Sequence, residues 1–404
     1  MIRKLLPILG ITFIDILGFS MMIPMMPYFI THFGQSAFVV GLLFATFSFC
    51  QLIAAPLWGN ISDRIGRKMV LIISQIGATI GWAMLGVAPN VAVAVGLPVM
   101  GVIFFARIVE GVSGGNISIT QAYVADLVEP KDRSRAFGLI MAMFAAGMVF
   151  GPFGGGVLFA HFGFAVPFLA AAALQFLTLL LTIFMLPESR TKDEESGSKS
   201  VGLSEIFASF RRPRLGRLLW QKLAISLGQY GWFAVFALFL QRQLGYGLTE
   251  TDYLFSAFAV FNVAMNGFVV GRVSARLGDR TMSNVGLASL VGSFAGVPFV
   301  HTLPMMLVTM ALFSIGMAFT NTGITALISN TASDREQGTV LGTSSSLDSL
   351  SGIVAPPVST GLLATYGPRF ASVESLAFAI LAFAMGIVSA RGEQATSPLK
   401  EALE

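Results

Sequence analysis

The sequence predicts an all-α membrane protein, with twelve transmembrane helices arranged as two six-helix bundles. Three observations predict it. Of 404 residues, 55% are hydrophobic and only 11% charged, whereas a soluble domain carries about 25% charged residues. The mean hydropathy is +0.78, and so few charges could not solvate the two or three soluble domains that the length alone would suggest. Apolar segments of the roughly 20 residues that a bilayer crossing needs recur along the whole chain. A ten-residue loop pattern also occurs twice, once in each half.

Taken in order, the expected spans are 6–30, 38–58, 69–88, 92–124, 136–160 and 164–186, then 215–240, 252–272, 283–300, 303–328, 338–364 and 371–390. They define an N-terminal bundle over 1–187 and a C-terminal bundle over 214–404 that ends in a short cytoplasmic tail. The segment 188–213 between them is the longest polar stretch, with Lys192, Asp193, Glu194, Glu195 and Lys199 near its centre. That composition reads as a flexible hydrophilic linker, with a short amphipathic surface helix near 203–210. Arg3 and Lys4 before an apolar run resemble a signal peptide. The run continues to about Ile30, holds Asp15 and lacks a small-residue cleavage site, so it reads as the first span.

Charge placement sets the expected topology. One side of the membrane receives Arg64, Arg67, Lys68, Lys131, Arg133, Arg135, the linker, Arg272, Arg276, Arg280, Arg335, Arg391 and Lys400. The other receives only Arg242 and Arg369, and His32, His161 and His301 fall in or beside its loops. Positive charge is retained on the cytoplasmic face, so both termini are expected there. The net charge of +4 forms no basic patch on a soluble domain, which excludes a nucleic-acid surface. Cys50 is the only cysteine; it can form no intrachain disulfide and reads as a small packing residue.

The loop over 59–68 reads Gly59-Asn-Ile-Ser62-Asp63-Arg64-Ile-Gly66-Arg67-Lys68, and 271–280 repeats its Gly, Ser, Arg and Gly as Gly271, Ser274, Arg276 and Gly278. Glycine permits a tight turn between helices. Asp63 lies near the start of span three, where a helix N-terminus favours negative charge, and Arg64, Arg67 and Lys68 can hold acids on neighbouring helix ends, notably Asp126. A second echo pairs Gly151-Pro152 and Gly163 with Ala355-Pro356 and Gly367. In span five, Gly147, Gly151 and Gly155 recur every four residues and offer a smooth packing face. Pro152 removes a backbone hydrogen bond and bends the helix.

These motifs resemble the major facilitator superfamily, whose hallmark is a G-x-x-x-D-R-x-G-R-[RK] loop between spans two and three; the resemblance covers nearly the whole chain. Within it, the sequence is similar to the twelve-span drug:proton antiporters of the tetracycline-resistance branch. Asp15-Ile-Leu-Gly18 through Pro24, Arg107-Ile-Val-Glu-Gly111, Gly147 through Gly155, Tyr123-Val-Ala-Asp126 and Pro187-Glu188-Ser189 all match patterns of that branch. The resemblance implies that spans one and four line a central cavity and that the span-five bend shapes the interface of the halves and suppresses leak.

Buried charge narrows the candidate residues. A charged side chain at a helix centre costs about 2.5–3.5 kcal/mol on insertion scales, so Asp15, Arg107, Glu110 and Asp348 are candidates for proton coupling. Asp15 lies about ten residues, or about 15 Å, into span one. Arg107 and Glu110 are spaced i, i+3 on one face of span four. The alternative for each is a permanent ion pair that only orients helices. Asn116, Gln121, Gln229, Tyr230, Asn262, Asn266 and Asn321 are candidate cavity residues, with hydrogen bonding to a facing helix as the alternative for each. Met21, Met22, Met25 and Met26 suit an adaptable apolar pocket or plain packing.

The sequence departs from the tetracycline pumps at two places. Where they carry an acid in span three, gapless matching puts Gly81 here, and 287–298 in span nine holds no acid. A different amphipathic drug or metabolite is therefore the expected substrate. Gly111-Val-Ser113-Gly-Gly115 matches a nucleophile elbow by chance, because Ser113 lies within a helix and not at a strand-to-helix turn. Neither a zinc-protease motif nor a Walker loop occurs, so no enzyme, cofactor or metal site is expected. The resemblance thus implies a proton-coupled antiporter of the inner membrane, exporting a small amphipathic compound by alternating access. Its expected partners are substrate, protons and the lipid bilayer, and it is expected to be a monomer. A symporter or facilitator for a sugar, lipid or other metabolite, and a non-transporting receptor or scaffold, remain the alternatives.

Overall fold

The computed structural model describes residues 2–114, 116–129, 132–189, 210–331 and 337–401. Most of the expected linker, including the surface helix near 203–210, lies outside the described residues, as do Lys131 and Arg335. The first eight helices are α1 (Ile2–His32), α2 (Ala37–Ile65), α3 (Arg67–Gly86), α4 (Ala88–Val95), α5 (Val99–Ser113), α6 (Asn116–Leu127), α7 (Arg133–Phe162) and α8 (Ala165–Met185). Then come α9 (Pro213–Phe239), which runs into a π-helical turn at Leu240–Leu244, and α10 (Leu248–Ala264), which continues through a π segment at Met265–Val270 into α11 (Gly271–Gly296). The chain ends with α12 (Leu303–Ser329), α13 (Gln337–Tyr366) and α14 (Val373–Glu401). No strand occurs among the described residues.

Nine helices among the described residues are long and apolar enough to cross a membrane, or ten if the bent pair α4 and α5 is one span. Three local causes separate this from a reading of twelve. The run Leu248–Phe299 is continuous over 52 residues, yet at about 1.5 Å per residue it is far longer than a bilayer core of about 30 Å. Gly278 breaks it at φ 75°, so the run holds the segments expected as spans eight and nine. The expected span 92–124 is divided between α5 and α6 at Gly114, which has extended backbone. Finally, α13 is rich in Ser, Thr and Gly, which dilutes its apolar signal.

The described residues form two compact units, one within Met1–Ser200 and Tyr246–Ala259, the other within Val201–Gly245 and Val260–Glu404. In unit 1, Leu5, Ile8 and Ile11 of α1 bury against Val70 and Leu71 of α3, Tyr123 and Val124 of α6 and Ala136 and Ile140 of α7. Helix α7 also lies close along α1. A Cβ at Gly147 would come 2.8 Å from Ile16 Cγ2, one at Gly151 2.6 Å from the Leu17 carbonyl, and one at Gly155 3.3 Å from the Met21 carbonyl. The Ser20 hydroxyl donates to the Gly147 carbonyl at 2.8 Å. The four-residue glycine repeat therefore sets the approach of two backbones, as small residues do in lipid. In unit 2, Trp232 of α9 anchors an aromatic cluster with Phe236, Phe239, Phe294 and Phe313.

Candidate transport site

Unit 1 buries an ion pair in its apolar interior. Arg107 and Glu110 of α5 sit one turn apart, 1% and 5% exposed, and the Arg107 guanidinium donates to Glu110 Oε2. Above the guanidinium lies the Phe47 ring of α2, 4.5 Å away at its centroid, and Met22 Sδ of α1 accepts from it at 3.4 Å. A cation over an aromatic face gains about 0.5–2 kcal/mol. That offsets part of a desolvation cost of several kcal/mol per ion. Arg107 Nε and Glu110 Oε1 have no hydrogen-bond partner among the described residues. One donor and one acceptor are therefore left over at a buried site.

Helix α3 makes room for the acid. A Cβ at Gly81 would lie 2.5 Å from Glu110 Cγ and 3.3 Å from the Ala106 carbonyl. The carboxylate of α5 thus fills the volume opposite the missing side chain of α3. Asp15 is half-buried on α1 in the same unit, and Glu110, the helix neighbour of Arg107, is a charged partner of the guanidinium.

Unit 2 holds a second charged group. Lys222 Nζ of α9 reaches Asp348 Oδ1 of α13 at 2.8 Å, and the Ser226 hydroxyl donates to the same oxygen at 2.6 Å. Lys222 and Ser226 are i, i+4 and so share a face of α9. Tyr230 continues that spacing and is exposed, while Gln229 Oε1 accepts from Asn321 Nδ2 of α12 at 3.5 Å. Asn262 donates to Ser314 at 3.3 Å, and Asn266 donates to the Asn262 carbonyl at 2.9 Å. Both asparagines flank the start of the π segment Met265–Val270, a local geometry often found at functional sites. Gln121 is exposed; the side chain of Asn116 lies outside the described residues.

The segment 59–68, expected as a loop, is helical except at Gly66, because α2 runs on to Ile65 and α3 starts at Arg67; this junction is tied together by charge. Arg67 pairs with Asp63 at 2.7 Å and with Asp126 at 3.4 Å, and donates to Ser62 Oγ at 2.5 Å. Gly66 turns the chain at φ 100°. The Glu188 carboxylate then accepts the backbone N–H of Arg67 at 2.8 Å and of Lys68 at 3.2 Å. An acid supplied from 121 residues away therefore caps the N-terminus of α3, where orphan N–H groups and the helix dipole both favour it. Gly59 and Arg64 lie in the last turns of α2, Arg64 exposed. In the second copy Arg276 is exposed, and the Ser274 hydroxyl donates to Asp279 Oδ1 at 2.5 Å.

A model of the Major Facilitator Superfamily matches residues 8–356 and 223–403. The chain belongs to the major facilitator superfamily. It is 30% identical over 373 residues to "Tetracycline resistance protein, class C" of Escherichia coli, covering 90% of each chain. It is 27% identical to "Multidrug resistance protein 2" of Bacillus subtilis, covering 85% of this chain and 84% of that one. Among solved structures, it resembles the inward-facing, unoccupied form of a bacterial homolog of the human lysosomal transporter Spinster, with a TM-score of 0.79, 17% identity and 96% of both chains covered. The crystal structure of the human organic anion transporter MFSD10 matches with a TM-score of 0.70 and 20% identity, over 95% of this chain and 99% of that one. The protein is thus a multi-pass membrane transporter of this superfamily with drug-efflux homologues, not an enzyme.

Three charged residues of this superfamily member escape the sequence reading. Lys222 lies inside an expected span and pairs with Asp348. Glu374, on the first turn of α14, is buried against the Ser359 hydroxyl. Asp252 is fully buried at the start of α10. Each stands near the end of an expected span, where a charge reads as an interfacial residue. A charge-by-charge test of span ends would have flagged them.

Proposed function

We propose that this chain is a proton-coupled antiporter that exports small amphipathic compounds across the inner membrane by alternating access. The observation that carries the reading is the Arg107–Glu110 pair: an acid and a base, buried to 1% and 5% exposure and paired within one helix of unit 1. Relatives named for tetracycline and multidrug resistance support the substrate class. A charge at such depth is expensive unless it has a task.

In the proposed cycle a proton from the outside neutralises Glu110 or Asp15. A neutral acid holds Arg107 less strongly, so the cation becomes available and the helices that carry it can move. On the inside, substrate and proton compete for the same charge balance, and loading one releases the other. In unit 2, protonation of Asp348 would release Lys222 in the same way. The cavity residues Asn116, Gln121, Gln229, Tyr230, Asn262, Asn266 and Asn321 supply hydrogen bonds that fix the orientation of an otherwise apolar ligand. The loop residues Gly59, Asp63, Arg64, Gly66, Arg67, Lys68, Asp126 and Arg276 serve as the cytoplasmic gate. Gly147, Gly151, Pro152 and Gly155 set the span-five bend. Division at 188–213, cytoplasmic termini and a monomer complete the reading.

The test is substrate-driven proton flux in proteoliposomes loaded with cationic, neutral and zwitterionic amphipathic compounds. Wild-type protein should release protons in step with substrate entry, and Asp15→Asn with Glu110→Gln should abolish that coupling. Coupled flux that survives both substitutions would refute the assignment of the carriers.

A further inference from the structure

We propose that Asp252 is a proton-binding site that, while protonated, latches the first turns of α10 onto α1 and α7. This deepens the proton-coupled reading and rests on it only for the latch's place in a transport cycle.

The residues concerned lie within unit 1, which includes Tyr246–Ala259. Asp252 is 0% exposed, and neither carboxylate oxygen has a hydrogen-bond partner among the described residues. From α7 it faces Gly156, where a Cβ would lie 2.8 Å from Asp252 Cβ and 2.9 Å from Oδ2. The acid is therefore pressed against bare backbone. From α1 it faces Tyr28. The Tyr28 hydroxyl donates to the Tyr246 carbonyl at 2.9 Å and lies 2.7 Å from Thr251 Oγ1. Tyr28 has one hydroxyl proton and a carbonyl can only accept, so Thr251 donates to Tyr28. The hydroxyl proton next to Asp252 is thereby committed elsewhere.

Of the other charged or titratable groups, Arg3, Lys4, Asp15, Arg133 and Arg135 lie at least 13 positions along α1 or α7 from Tyr28 or Gly156, and the nearer ones are engaged elsewhere or share the sign of Asp252. His32 on α1 packs on Phe33 and Phe164, His161 on α7 is bonded to the Val157 carbonyl, and Glu250 on α10 is itself an acid. Asp252 is also the fifth residue of α10, beyond the first turn where a helix N-terminus supports negative charge. Glu374 makes the contrast, since it is buried in a first turn and holds the Ser359 hydroxyl. An ionised carboxylate without any partner costs several kcal/mol to bury, and such a group stays neutral instead. Docked, Asp252 carries its proton. When the O–H bond breaks and the proton passes to water, the carboxylate needs hydration that the docked site cannot give, and the first turns of α10 must part from Tyr28 and Gly156. A pH rise therefore opens the latch and a pH fall closes it.

The test uses the full chain in a Cys50→Ala background. Phe153 of α7 and Tyr253 of α10, whose rings lie 5.7 Å apart, are replaced by cysteine as a pair and probed with a bifunctional thiol reagent over a pH series. Thiol reactivity changes with pH equally with and without Asp252→Asn, so the readout is the ratio of the two cross-linking yields. Asp252→Asn keeps the shape and cannot ionise, so its cross-linking should report a latch closed throughout. The ratio should fall by up to about tenfold per pH unit once Asp252 titrates; a flat ratio overturns the proposal. Infrared difference spectra between wild type and Asp252→Asn at neutral pH should show the carbonyl stretch of a protonated acid, and its absence likewise overturns it. Neither measurement needs substrate. A titrating ratio in a protein that fails to exchange protons for substrate would sink the antiport reading and leave the latch standing.

Discussion

Arg107 and Glu110 illustrate what one buried pair demands of the residues around it. Removing one partner of a buried pair leaves an uncompensated charge, at a cost of about 3–5 kcal/mol. Glu110→Gln is therefore expected to lower the thermal unfolding temperature and to abolish proton-driven uptake. Replacing both residues by Met should recover much of the stability and none of the transport. Fluorescence melting together with vesicle uptake separates the two effects, and uptake by the double variant would remove the pair from the mechanism. Gly81 gives a gentler test. A Cβ there meets Glu110 Cγ at 2.5 Å, and overpacking of this kind costs about 1–3 kcal/mol. Gly81→Ala should push the carboxylate off Arg107 and impair transport without changing any charge. In unit 2, Lys222→Met should leave the Asp348 carboxylate with the Ser226 hydroxyl but without its cation, and should lower substrate-driven proton flux in vesicles. An unchanged flux would make that pair purely structural.

At the scale of elements, α7 allows a controlled comparison on one helix. At Gly151 an added Cβ would meet the Leu17 carbonyl at 2.6 Å, whereas at Gly154 it would meet nothing within 4 Å. Gly151→Ala should destabilise by about 1–3 kcal/mol, and Gly154→Ala should stay within about 0.5 kcal/mol of wild type, as surface substitutions do. Equal effects in a melting assay would show that α7 does not depend on close approach to α1. The same helix shows why some elements are legible in sequence. A period of four in glycine is a one-dimensional signal, as is a run of apolar residues long enough to cross a bilayer. Glu188 also stands in a recognisable Pro187-Glu188-Ser189, but that its carboxylate caps α3 depends on a contact across 121 positions. Lys222 and Asp252 were hidden because a window average forgives a single charge near a span's end, and only their partners, or the lack of them, give them meaning. Helix ends were lost for the opposite reason. The helical run continues from α10 through the π segment at Met265–Val270 and on across 273–282, where the sequence pattern leads one to expect a polar break, and only Gly278 interrupts it.

Across the whole molecule, the two copies of the interhelix loop keep the backbone device and change its chemistry. Gly66 and Gly278 both adopt positive φ, 100° and 75°, four residues after Ser62 and Ser274. At the next position the copies diverge in charge: Arg67 donates to Ser62 Oγ, whereas Asp279 accepts from Ser274 Oγ. What the repeat retains is thus a serine bonded across a glycine of positive φ. The charge that meets the serine is free to differ between halves. Alanine at either glycine must adopt positive φ with extended ψ (100°, 153° at Gly66 and 75°, 156° at Gly278), a region that is essentially glycine-only and costs about 1–3 kcal/mol. At Gly278 that strain is the whole effect, because nothing lies within 4 Å of an added Cβ. At Gly66 the Cβ would also come 2.7 Å from Glu188 Cδ and would displace the carboxylate that caps α3; a lost cap costs about 0.5–2 kcal/mol more. Gly66→Ala should therefore melt at a lower temperature than Gly278→Ala. Combined with Glu188→Ala, which removes both the cap and the clash, Gly66→Ala should add only the strain that Gly278→Ala shows. If Gly66→Ala still costs more than Gly278→Ala once Glu188 is gone, the two loops do not share one backbone device, and their likeness stops at the letters of the sequence.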